Sequence, residues 1–130
     1  MPYNASSGLN PTTTVPAFAP GFRGSANNQA QISLPVTASA AASFPAIESY
    51  PALFFIGTDN VRTLKGVSGF VHVTSASQIN LHGANTGFST AASTTADHVV
   101  VSISGGVITL TNAGTNAATA AATYSAYRLD

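Results

Sequence analysis

The chain has 130 residues, no cysteine, and four basic side chains balanced by four acidic ones. That length suits one domain, and the missing thiols exclude a disulfide frame, a thiolate nucleophile and a Cys-ligated metal. Charged residues make up 6% of the chain, against about 25% in an average soluble protein, which is too few for the cationic field that nucleic-acid or anionic-membrane binding needs. A net charge of zero favours association. Solubility must come from Ser, Thr, Asn and Gly, or the surface must be covered by neighbours.

Residues 1–30 differ from the rest. Pro2, Pro11, Pro16 and Pro20, with Gly8, Gly21 and Gly24, interrupt a stretch that has few large apolar residues and no period of 2 or 3.6. Proline favours extended backbone and removes ladder donors. The segment is therefore expected to be an extended N-terminal arm, with the folded domain over 31–130. Within it, Pro16-Ala17-Phe18-Ala19-Pro20-Gly21-Phe22-Arg23 sets two aromatic rings and a guanidinium on stiff backbone. Arg beside aromatics is the usual makeup of an interface hot spot. Two readings stand side by side: Phe18, Phe22 and Arg23 contact a partner, or the phenylalanines plug the domain's own core.

From Gln31 onward the signals are those of strands. Gln31 to Val36 alternates, with Ile32, Leu34 and Val36 on one face, and Pro35 points to an edge strand or a bend. Residues 37–43, rich in Ala and Ser, read as a loop or one helical turn. Residues 51–56 form an apolar run of strand length, closed by the turn Gly57-Thr58-Asp59-Asn60. Strands are expected next over 61–65, 68–74 and 78–82, the last ended by Gly83-Ala84-Asn85. Residues 84–97, rich in Ala, Ser and Thr, read as a long loop. The sharpest local signal follows. Alternating runs 98–104 and 107–111 flank Gly105-Gly106, which is what a two-residue I′ or II′ hairpin turn demands. Residues 119–129 read as a final strand with Tyr124 and Tyr127 on opposite faces. Seven or eight short strands without a long helix argue for an all-β fold, a β-sandwich of jelly-roll kind.

Groups able to do chemistry are scarce. His72, His82 and His98 with Asp97 lack any tight ligand spacing such as H-x-H, so no metal site is expected. Val67-Ser68-Gly69 lacks the first glycine of a nucleophile elbow, and Asp97 and His98 are adjacent, which in a strand sends them to opposite faces. Three of the four acids flank turns or the chain end, which disfavours paired-carboxylate catalysis. No glycine run has the Lys-Ser/Thr ending of a phosphate loop, and the aromatics have almost no cations beside them. The chain is expected to be no enzyme, with no catalytic or cofactor-binding residue, no small-molecule substrate and no nucleic-acid partner. Its start lacks the basic and apolar stretches of a secretory signal, and no apolar run approaches a bilayer span. Synthesis in the cytoplasm and no membrane partner are expected.

The run from Val99 to Leu129, with V-V-V-S-I-S-G-G-V-I-T-L-T-N-A-G-T and the closing T-Y-S-A-Y-R-L, resembles the last strands of small structural proteins encoded by tailed bacteriophages. With the Pro-rich arm and absent cysteine, the chain is similar to capsid decoration or cement proteins of jelly-roll type. That resemblance implies a virion protein made in the host cytoplasm and carried on the outer capsid surface. Its partners would be the major capsid protein and copies of itself, as a dimer or trimer, with neighbouring capsid subunits bridged against internal pressure. It carries over no functional residue. The alternatives are a receptor-binding or fibre module of the same particle, with loop 84–97 presented to a host glycan, and a bacterial surface or matrix protein.

Overall fold

The computed structural model describes residues 21–23, 28–58, 68–85, 87–113, 118 and 121–130. Outside these lie most of the expected arm, including Phe18, the expected turn residues Asp59 and Asn60, and the expected strand 61–65. The described residues form nine strands and no helix. They are β1 (Gln29–Leu34), β2 (Ala41–Ser43), β3 (Ala52–Thr58), β4 (Ser68–Ser75), β5 (Gln78–His82), β6 (Phe88–Ser89), β7 (Val99–Ser104), β8 (Val107–Asn112) and β9 (Ala122–Arg128). Five make one sheet in the order β1-β9-β3-β4-β5, and four make a second in the order β2-β8-β7-β6. The chain is the expected β-sandwich.

Alternation builds the core. β3, β4 and β9 each bury every second residue, contributing Phe54, Ile56, Val71, Val73 and Tyr124. From the other sheet come Val99, Val101, Ile108 and Leu110. Burying one such side chain completely is worth about 1.5–3 kcal/mol. β1 ends at Leu34, one residue before Pro35, and among the described strands lies at the edge of its sheet, paired with β9. The edge position tolerates the donor that proline lacks.

The β7–β8 hairpin forms in the register its glycines require, with Ser104 opposite Val107. Gly105 and Gly106 have φ of 56° and 76°, the pair of positive values that defines a type I′ turn. Gly106 also fastens the hairpin tip. Its N–H donates to Ala76 O at 2.9 Å, and its carbonyl accepts from Ile47 N–H at 2.8 Å. A β-carbon at Gly105 would meet nothing, whereas one at Gly106 would run into the Tyr50 hydroxyl. Gly105→Ala should therefore cost about 1–2 kcal/mol, the left-handed backbone alone. Gly106→Ala should cost more, and urea melts of the two variants read the difference. Equal losses would mean that Tyr50 moves aside freely.

Several stretches depart from the sequence-based expectation. Residues 37–40 turn and then pair as β2, whose Ala41 lies opposite Thr111. The turn is held by Asn112, a buried side chain whose Nδ2 donates to the carbonyls of Pro35 (2.5 Å) and Thr37 (2.9 Å). Loop 84–97 contains β6, which pairs parallel to β7 and carries the buried Phe88. β9 spans Ala122–Arg128, and residues 119 and 120 of the expected last strand lie outside the described residues.

Described structure extends upstream of residue 31. β1 opens at Gln29. Phe22 forms an antiparallel bridge with Ile47 and is fully buried, with ring centroids 5.1 Å from Phe54 and 5.9 Å from Phe44.

Candidate functional site

The alternation that buries one side of the five-stranded sheet turns the other side outward. Register then decides which outward residues stand together. Gln29 lies opposite Tyr127, Tyr127 opposite Phe55, Phe55 opposite Phe70, and Phe70 opposite His82. Three aromatic rings thus form one row across the sheet, with an amide at one end and an imidazole at the other. Phe55 and Phe70 meet edge to face at 5.4 Å, the favoured aromatic geometry. One glycine lets a ring lie low: a β-carbon at Gly57 would stand 3.0 Å from the Phe55 ring. Phe70 is 40% exposed and Tyr127 38%. Such exposure is unremarkable in a single residue but informative in neighbours on one face.

Beside this row lies a groove of about 380 Å³, lined by Pro51, Ala52, Leu53, His72, His82 and Asp130. Its rim is held by charge. Arg128 is buried, and its Nε donates to Asp130 Oδ1 at 2.9 Å. Its Nη1 donates to Ser49 Oγ at 3.0 Å and its Nη2 to Pro51 O at 3.2 Å. The Leu53 N–H also donates to Asp130 Oδ1 at 3.1 Å. Burial, the largest single influence, pushes the Asp130 carboxyl up. The Arg128 hydrogen bond, the Leu53 N–H and the Arg128 charge together outweigh it and hold the carboxyl below its ordinary value. The carboxylate is a fixed acceptor at the mouth of a groove walled by Pro51, Ala52, Leu53 and the imidazoles of His72 and His82. No lysine, arginine or glutamate points outward from the described strands of this sheet. The surface can bury rings against a neutral partner and hydrogen-bond through amides and imidazoles.

The structure separates the residues singled out from sequence. Phe22 is in the core, Arg23 is exposed beside it, and Phe18 lies outside the described residues. The histidines divide between the sheets. His72 and His82 are neighbours, with ring centroids 6.3 Å apart, while His98 precedes β7 in the other sheet and its Nδ1 lies 3.3 Å from Ser93 Oγ. No group of three potential metal ligands occurs among the described residues. The aromatic row was not foreseen. Alternation alone marks Phe55, Phe70 and Tyr127 as facing away from Phe54, Val71 and Tyr124, but it does not show that the three strands are adjacent. No family model, curated protein or solved structure matches the chain.

Proposed function

We propose that this chain is a non-enzymatic structural protein of a virus particle, decorating or cementing the outside of a bacteriophage capsid. The observation that carries the reading is the uncharged aromatic row Tyr127–Phe55–Phe70, open on the outer face of the five-stranded sheet. A rigid sheet is a good platform for such contacts, because the rings lose little freedom when a partner covers them. Edge strands β1 and β5 flank the row and can accept a strand from a neighbour through main-chain hydrogen bonds. Modest contacts repeated over many copies on one shell add up to firm attachment. The partners in this reading are the major capsid protein and further copies of the chain, and the kinship to jelly-roll decoration proteins belongs to the same proposal.

The test uses heads of the encoding phage that lack the protein. Phe70→Asp should weaken binding to them at least about fivefold, the loss of one interface ring worth more than about 1 kcal/mol. Its half-exposed position should keep the change in unfolding free energy small. Sedimentation of heads with bound protein reads the first quantity and urea melts the second. Undiminished head binding by a folded Phe70→Asp protein would overturn the reading. Retention of the wild type on host glycans but not on heads would favour the receptor module instead.

A further inference from the structure

We propose that the protein self-associates through β5, two copies pairing these strands antiparallel about a two-fold axis at Asn80. The first support is the direction of the main-chain groups. The Arg128 N–H donates to Asn28 O and the Leu129 N–H to Leu53 O. In β9 the even-numbered residues therefore bond towards β1 and the odd-numbered ones towards β3. Successive peptide groups along a strand point to opposite sides. Carried through the registers of β3, β4 and β5, this alternation makes His72–Asn80 and Phe70–His82 hydrogen-bonded pairs. Ile79 and Leu81 then turn their N–H and C=O away from β4. β5 is the last of the described strands on that side, so these groups face the open edge of the sheet.

The second support is self-complementarity. A two-fold axis at Asn80 sets Ile79 opposite the partner's Leu81, and the two exchange the main-chain hydrogen bonds that the edge leaves open. Their side chains also meet. Both are only partly buried at the margin of the core, and the pairing covers them. On the outer face Asn80 meets the partner's Asn80 and Gln78 meets the partner's His82, amide on amide and amide on imidazole. No charge lies on β5, so no like-charge pair opposes the contact. Lysine and proline, the usual guards of an edge, are absent from it too. The irregularity of its ladder with β4, between Val73 and Ser75, lies at the turn end. The opposite edge is more hemmed in. Gly21 packs against Asn28 at the start of β1, and the Ala118 N–H donates to Val36 O just past its end.

The axis stands perpendicular to the sheet, so the two five-stranded sheets join into one and both aromatic rows face the same side. In the capsid reading, on which this use of the pair rests, one dimer presents the contact surface twice. The second row then binds at the raised local concentration of a tethered partner. The pairing itself needs no capsid and is tested on purified protein.

The chain contains no cysteine, so an introduced thiol reports without background. Full-length Asn80→Cys puts two thiols on the axis at a non-hydrogen-bonded pair, about 4.5 Å apart between α-carbons and within disulfide span. Mild oxidation should link it as a dimer, while Gln31→Cys, exposed on β1, stays monomeric. Asn80→Lys sets like charges face to face and should weaken the dimer about tenfold or more in sedimentation velocity at low salt. Asn80 is exposed, so urea melts of that variant should stay close to wild type. Mixing Asn80→Lys with Asn80→Asp should restore association. A wild type that stays monomeric at every concentration would overturn the proposal. So would an Asn80→Lys dimer as tight as the wild type, or linkage of Gln31→Cys in place of Asn80→Cys. A β5-paired dimer that binds no heads would uphold the pairing and sink the cementing role.

Discussion

Phe22→Ala is expected to destabilise the domain by about 3–5 kcal/mol, the usual cost of emptying a buried phenylalanine site. Phe22 has no exposed surface, and its ring touches Phe54 of one sheet and Phe44, which directly follows β2 of the other. The ring therefore fills space that both sheets line, and neither sheet can close over the gap without moving the other. Arg23→Ala is the matched control, since Arg23 is exposed and such surface changes stay within about 0.5 kcal/mol. Urea denaturation at neutral pH separates the two. A loss below 1 kcal/mol for Phe22→Ala would mean that the 21–23 segment detaches easily, and Phe22 would again be available to a partner.

The second large effect is expected at Arg128. Arg128→Met keeps the length and apolar stem but removes the hydrogen bonds to Ser49, Pro51 and Asp130. Hydrogen bonds from a charged donor are worth about 1.5–3 kcal/mol each. A net loss of about 2–4 kcal/mol is expected, because Asp130 is 42% exposed and water compensates part of what it loses. The same pair gives the protein an acid limit. The folded state holds the Asp130 carboxyl below its ordinary value. Its stabilisation is therefore complete above the unfolded carboxylate range and is lost as pH falls through the folded value, below about pH 4. Unfolding free energy measured from pH 6 downward should fall less steeply in Asp130→Asn than in the wild type. Parallel curves would mean that the ion pair contributes nothing.

Both effects show how the fold was written in the sequence. The β7–β8 hairpin was legible because everything that determines it lies within 14 residues: two alternating runs and two glycines, which adopt positive φ at little cost. β5 was equally plain, bounded by local turns. Sheet order was not legible, since β9 inserts between β1 and β3, and such pairings depend on packing across the whole chain. β6 escaped because a two-residue strand has no period. Phe22 illustrates the central ambiguity. An aromatic residue among prolines and glycines reads alike whether it anchors to a neighbour or to its own core, and only the Ile47 bridge decides. The candidate site was half visible. Phe55 and Phe70 fall in the expected strands 51–56 and 68–74, but their alignment with Tyr127 is a matter of register.

The bare outer face has a consequence for the medium in which the protein can work. A contact made without ion pairs gives salt little to screen and releases no condensed counterions. Excluded salts such as sulfate strengthen the burial of apolar surface. A contact made through Tyr127, Phe55 and Phe70 would therefore not weaken as ionic strength rises. With charged residues making up 6% of the whole chain, a contact on this face would keep its strength when the surrounding solvent changes.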